Sequence, residues 1–158
     1  MTKLKNEPKK RVDIVSLQMV KEDTTLYAGR RCNSPDAMYR LFAPFIETKD
    51  REYLVMAGLN QTMEPTIIQT SHIGTINQSL AFPRDILKAA LLSNSVSVCI
   101  AHNHPSGDVT ASLADIQLTK QLEKACKFLQ IKLQDHLIIG STGDYLSLQT
   151  EGHIEAPS

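Results

Sequence analysis

Residues 101–115 read AHNHPSGDVTASLAD, and the rest of the chain is best interpreted from this stretch. His102 and His104 are separated by one residue, and Asp115 follows His104 after ten intervening residues. Two interpretations fit the pattern. Either the three side chains bind a metal ion, or the stretch is a loop that leads into a helix capped by Ser112.

The spacing is compatible with a metal site. Alternate residues of a strand point to the same side, so His102 and His104 at a strand end can approach one ion. Imidazole nitrogen and carboxylate oxygen are both zinc ligands, and a catalytic zinc site has three protein ligands and one open position. The turn at Pro105–Gly107 lets the chain return, which brings Asp115 toward the histidines.

The same residues also match a helix start. Ser112-Leu-Ala-Asp115 fits the capping box, which requires no metal, and the helix dipole stabilises an aspartate in the first turn. The two interpretations are compatible, because Asp115 can face a ligand while Ser112 caps the helix. Paired histidines beside Pro and Gly have little structural purpose, so the pattern favours the metal.

Predicted helices and strands alternate along most of the chain, which indicates a single α/β layered domain. Ser34 and Pro35 form a helix start, with Ser as N-cap and Pro at the first helical position. Residues 102–110 are a predicted loop. The predicted strands are residues 12–19, 52–59, 66–73, 95–101, 131–139 and 145–148, and the other predicted helices are residues 83–92 and 113–129.

Composition excludes several classes of protein. The chain has 17 Lys and Arg against 17 Asp and Glu, so the overall charge does not indicate nucleic-acid binding. No apolar run suits a membrane helix or a signal peptide, so we expect a cytoplasmic protein. Three cysteines without CxxC spacing argue against a disulfide framework and a cysteine-based zinc site. The basic opening residues predict a solvated tail over residues 1–25, with nucleic-acid contact as the alternative.

Several motifs together resemble one family. His102, His104, Ser112 and Asp115 resemble the JAMM signature of JAB1/MPN-type zinc metalloproteases. The resemblance is closer still to the bacterial RadC family, and it covers residues 34–148, within a predicted domain of residues 34–150. Larger family members carry a helical region before this domain, so we expect this chain to be a short form. The supporting stretches are AHNHPSGD at 101–108, GTINQS at 74–79, FPRDILKAAL at 82–91 and DHLIIG at 135–140.

The resemblance implies a JAB/MPN fold similar to cytidine deaminases, with a central mixed sheet and helices on both faces. It implies that His102, His104 and Asp115 hold Zn²⁺, whose bound water has a pKa near ~7. Ser112 would donate to the developing oxyanion, and Glu52 would be the general acid/base. Many relatives instead carry an acid in the second strand, where this chain has Gln69 and Thr70.

The implied function is a zinc-dependent peptidase or isopeptidase that acts on an unidentified peptide or protein. Two alternatives are a nucleic-acid-associated module of DNA repair or mobile elements, and a non-catalytic zinc-binding interaction domain. Near the predicted site, we expect His136 to be structural and bonded to neighbouring backbone. Asp135 is the residue expected to orient a ligand histidine, because such histidines commonly donate to a carboxylate.

Overall fold

The computed structural model describes residues 8–76 and 81–156. Residues 77–80, which include the end of the GTINQS motif, lie outside the described residues. Five strands form one sheet in the order β2-β1-β3-β4-β5. The elements are α1 (Pro35–Ile46), β1 (Tyr53–Leu59), β2 (Pro65–Ile73), α2 (Pro83–Leu92), β3 (Ser97–His104), α3 (Leu113–Phe128), β4 (Lys132–Gly140) and β5 (Tyr145–Ser147).

The sheet is mixed, as predicted. β1 is antiparallel to both β2 and β3, and β5 is antiparallel to β4. Among the described strands, only β3 and β4 are paired in parallel, and α3 connects them. A parallel pair requires a crossover of this kind, because a tight turn cannot return the chain to the same end of the sheet. The crossover places the start of α3 directly after the end of β3.

Helices cover both faces of the sheet, which confirms the predicted architecture. α1 packs on one face against Val55, Ala57, Cys99 and Ala101. The opposite face carries α2 and α3. Alternate strand residues contact these helices, namely Leu54, Met56, Val98 and Ile100. His102 continues the alternation of Val98 and Ile100, so its side chain belongs to the α2/α3 face.

One irregularity changes which side chains of β4 reach α3. Val98 of β3 pairs with Leu133, but the next residue, Cys99, pairs with Asp135. Gln134 is therefore an extra residue on β4, as in a β-bulge, and it reverses the alternation that Leu133 begins. As a result, His136 points to the α3 face and Asp135 to the α1 face.

Several predicted boundaries hold and one predicted strand is wrong. The side chain of Ser34 accepts a hydrogen bond from the Ala37 N–H, so the predicted N-cap of α1 is confirmed. Residues 12–19 form no strand: residues 8–31 are exposed, without helix or strand, and Ile14 is 100% exposed. Partly alternating apolar residues are not sufficient, because a strand also requires a neighbouring strand as hydrogen-bond partner.

In the part of the chain that the structure describes, no helix has the length and apolar character needed to cross a membrane.

Candidate metal centre

β3 carries both histidines of the motif to the end of the sheet. The predicted loop at 102–110 starts too early, because the strand continues through His104 and His102 pairs with Leu54 of β1. The Nε2 atoms of His102 and His104 are 3.0 Å apart. His102 is fully buried, while the side chain of His104 is 15% exposed. An ion between them would be reached from the side of His104.

α3 supplies the third side chain, and its first turn is compatible with both interpretations at once. Ser112 Oγ accepts from the Asp115 N–H at 3.1 Å, and Asp115 Oδ2 accepts from the Ser112 N–H at 2.8 Å, which completes the capping box. Asp115 Oδ1 lies 3.2 Å from His102 Nε2, and Oδ2 lies 3.5 Å from His104 Nε2. The cap therefore fixes the carboxylate beside both imidazoles.

Tight packing behind the turn holds His104 in place. The His104 carbonyl accepts from the Gly107 N–H, and Gly107 has a φ of +86°, which favours glycine. Gly140 of β4 faces His104 across the sheet. A Cβ at Gly140 would lie 2.9 Å from the Gly107 carbonyl oxygen, so only glycine lets the loop approach β4 this closely.

The atoms that face one another at this centre suit a divalent cation. Nδ1 of His104 is 2.6 Å from the Asp108 carbonyl oxygen, which can only accept, so this nitrogen carries the proton. In the neutral ring, Nε2 then presents a bare lone pair toward His102 Nε2 and Asp115. Acceptors that face one another in this way need a cation or a proton between them. Tetrahedral zinc with bonds of about 2.1 Å separates its ligand atoms by about 3.4 Å, and the contacts above, at 3.0–3.5 Å, are close to this distance.

The pKa shifts of these residues describe the same atoms when a proton, rather than a metal ion, lies between them. Burial by itself raises the pKa of Asp115, but hydrogen bonds with His102 and His104 overcome it and hold the pKa of this carboxyl well below its usual range. The hydrogen bond with Asp115 raises the pKa of His104, and burial opposes that shift. His102, His104 and Asp115 are the group of described residues that could hold a metal ion.

His136 lies beside this centre, and its ring bonds to side chains rather than to the neighbouring backbone that the sequence led us to expect. Its Nε2 is 2.7 Å from His102 Nδ1, and its Nδ1 is 2.7 Å from Thr119 Oγ1 of α3. Burial lowers the pKa of His136 well below its usual value, so the ring is neutral. The predicted role of Asp135 is wrong: its carboxylate accepts from Ser147, Gln149 and the His136 backbone on the other side of the strand. The bulge at Gln134 is the physical reason for this exchange of roles.

Glu52 lies directly before β1, at the end of the sheet that holds the histidines. Because Leu54 pairs with His102, continuing the antiparallel register by two residues brings Glu52 level with His104. Glu52 Oε2 accepts from the Ile76 N–H at 3.0 Å, and its charge contributes to the raised pKa of His104. Gln69 and Thr70 lie farther along the sheet, opposite Met56 and Val55.

Comparison with known proteins places the sequence in a family. The family model described as RadC-like JAB domain matches residues 32–153. The chain belongs to the RadC family. A UPF0758 protein of Actinobacillus pleuropneumoniae is 36% identical over 143 residues, which cover 87% of this chain and 64% of the relative. A UPF0758 protein of Methanosarcina mazei is 37% identical over 129 residues, or 80% of this chain and 55% of the relative. This RadC chain therefore spans less than two thirds of the length of these relatives.

Asn103 is a residue of this RadC domain that sequence reasoning missed. Its side chain is buried and hydrogen-bonds the backbone on both sides of Glu52. Asn103 Oδ1 accepts from the Tyr53 N–H at 2.7 Å, and Asn103 Nδ2 donates to the Arg51 carbonyl at 2.9 Å. The position between the two histidines was the available signal. Strand alternation turns Asn103 to the opposite face from them, where it fixes the backbone that carries Glu52.

Proposed function

We propose that this RadC domain is a zinc-dependent hydrolase that cleaves an amide bond of a peptide or an isopeptide. The observation that carries the proposal is the convergence of His102 Nε2, His104 Nε2 and the Asp115 carboxylate at the end of the sheet. Three protein ligands of this type leave a fourth position open, as in catalytic rather than structural zinc sites. The JAB-type family supports the same chemistry.

When bound there, zinc lowers the pKa of a coordinated water to about 7. The chain supplies the remaining parts of the reaction. Glu52, level with His104 and fixed by Ile76 and Asn103, takes a proton from the attacking water and returns it to the leaving nitrogen. Its carboxylate suits both steps because it cycles between its charged and neutral forms.

Ser112 has the second assigned role. Its oxygen already accepts from the Asp115 N–H, so its own hydroxyl hydrogen is available to a ligand. We assign this hydrogen to the oxyanion that develops on the substrate carbonyl, where a single donor contributes about 10²–10³ in rate. The residue is exposed, in keeping with contact to a substrate.

The test is hydrolysis by the zinc-loaded protein of a panel of fluorogenic peptides and isopeptide-linked substrates. We expect Glu52→Gln to reduce turnover by at least about 10²-fold, with zinc content unchanged. Ser147→Ala is the matched control, since Ser147 bonds Asp135 away from the centre. The proposal would be contradicted by zinc-loaded protein that cleaves no member of the panel, or by a Glu52→Gln variant that cleaves as fast as the parent.

A further inference from the structure

Two buried polar side chains of the centre have no part in the reaction proposed above. His136 on β4 and Thr119 on α3 are both fully buried. Thr119 lies one helical turn after Asp115, and His136 lies beside His102. Together they connect two of the three ligand residues through side chains that would not touch the ion.

The direction of each hydrogen bond in this chain follows from the atoms involved. Thr119 Oγ1 is 2.7 Å from the backbone carbonyl of Asp115, which can only accept. The single hydroxyl hydrogen of Thr119 is therefore donated to Asp115. The remaining contact of Thr119 Oγ1, 2.7 Å from His136 Nδ1, requires the nitrogen to donate, so the proton of His136 sits on Nδ1.

The same reasoning extends to the ligand. A buried imidazole whose side-chain partners are a hydroxyl and a second imidazole is neutral, because no carboxylate is hydrogen-bonded to it to compensate a buried cation. His136 Nε2 then carries a lone pair, 2.7 Å from His102 Nδ1. His102 must donate from Nδ1, which leaves the lone pair of its Nε2 facing His104 and Asp115.

We propose that His136 and Thr119 are positioning residues, which hold His102 in the tautomer that binds metal through Nε2 and tie its ring to the backbone of Asp115. This inference rests on the proposed zinc centre. Ligand histidines commonly donate to a carboxylate, a backbone carbonyl or water. Here a neutral imidazole accepts instead, so the ring is oriented without adding a negative charge beside the ion.

The main experiment is a zinc competition titration of the full chain against a chromophoric chelator. His136→Leu removes the acceptor, and we expect zinc to bind about 10–100-fold more weakly, the usual cost of losing such a partner. His136→Gln places an amide oxygen near the position of Nε2, so it should bind zinc more tightly than the Leu variant. Equal losses in the two variants, or no loss in either, would overturn the inference.

Thr119 provides an independent pair of variants. Thr119→Val keeps the shape but removes the hydroxyl, and Thr119→Ser keeps the hydroxyl. We expect the Val variant to bind zinc about tenfold more weakly and the Ser variant to match the parent. A Val variant that binds zinc with parental affinity would contradict the proposed role of Thr119 in the hydrogen-bond chain. Thermal unfolding of the zinc-free variants, compared with the parent, shows whether each variant is folded.

Spectroscopy tests the tautomer without any substitution. In ¹⁵N NMR spectra of the zinc-loaded parent, we expect a protonated Nδ1 and a metal-bound Nε2 for His102, and a protonated Nδ1 for His136. A His102 ring bound through Nδ1 would overturn the inference. Failure of the proposed function can be distinguished from failure of this inference. If the parent binds zinc but hydrolyses nothing, the proposed function is wrong and the inference about His136 and Thr119 stands. If the parent binds no zinc, both are wrong.

Discussion

Asp135 and His136 are adjacent on β4, yet each belongs to a different buried polar cluster. The closed cluster consists of Asp135, Ser147 and Gln149. There the Asp135 carboxylate accepts from the Ser147 hydroxyl at 2.6 Å and from the Gln149 N–H at 3.0 Å, and Ser147 Oγ accepts from the Thr150 N–H. The open cluster, on the other face, consists of His102, His104, Asp115, Thr119 and His136.

The two clusters differ in their balance of donors and acceptors. Within the closed cluster each acceptor has a donor. The cluster therefore needs no ligand, and its role is to fix β4 against β5 and the following turn. In the open cluster the N–H groups of His102 and His104 point outward, to His136 and to the Asp108 carbonyl. Three acceptors then face each other. Buried polarity alone does not mark a ligand site; an excess of acceptors does, because it requires a cation.

The largest expected difference follows from exchanging each carboxylate for an amide. Asp115→Asn removes a charged ligand, and we expect zinc affinity to fall by at least about 100-fold, since apparent zinc-binding free energies of about 10–16 kcal/mol are shared among a few ligands. Asp135→Asn should affect zinc affinity at least about tenfold less. Chelator competition on the two variants makes the comparison.

Stability should respond in the opposite order. Asp135→Asn turns an acceptor into a donor that faces other donors, and unsatisfied buried groups cost about 1–3 kcal/mol each. We therefore expect urea unfolding of the zinc-free protein to shift more in Asp135→Asn than in Asp115→Asn. If Asp135→Asn instead abolished zinc binding in a folded protein, the separation into two clusters would be wrong.

A smaller effect is expected from Asn103, which acts through the backbone around Glu52. Asn103→Ala should lower the turnover number about 10–100-fold, because small displacements of a reacting group are costly, while zinc content stays at the parental level. The check is a double variant: combined with Glu52→Gln, Asn103→Ala should have no further effect on turnover. An additional loss in the double variant would show that Asn103 acts elsewhere.

The smallest expected effect concerns the dependence of stability on pH. It distinguishes a proton from a metal ion as the species that lies between the acceptors of the open cluster. The hydrogen bond with Asp115 raises the pKa of His104 in the folded state. The resulting stabilisation is fully present below about pH 6.5 and is lost as pH rises through the folded pKa. The zinc-free protein should therefore lose stability as pH rises above about 6.5, and His104→Gln should reduce that slope.

Zinc should reverse the trend. Its ligands bind in their deprotonated forms, so the stabilisation that zinc adds grows over the same range of pH. Urea unfolding at several pH values, with zinc and with chelator, measures both slopes. Parallel slopes with and without zinc would contradict the placement of His104 in the metal centre.

Local signals in the sequence predicted most of the fold and the clustering of His102, His104 and Asp115. Ser34 and Pro35 mark the start of α1, and the histidine spacing together with the Ser112 cap brings these three side chains together. These features depend on neighbouring residues alone. The strand at 12–19 was wrong because a strand also depends on a partner, which no local pattern reveals.

The roles of Asp135 and His136 could not be predicted for a related reason. Regular alternation from Leu133 places Asp135 on the side of α3. The bulge at Gln134 reverses that assignment, and it exists only in the pairing of β4 with β3. Asn103 was missed for the same reason, since its partners Arg51 and Tyr53 are distant in the sequence.

The central claim is that the open cluster is a metal centre, and metal content tests it most directly. Elemental analysis of the purified full chain, after incubation with zinc and removal of excess, should give close to one zinc per chain. His104→Ala, analysed in parallel, should have lost it. A parent that holds no zinc, or a folded His104→Ala variant that holds as much as the parent, would contradict the account and reduce the first turn of α3 to a capped helix start.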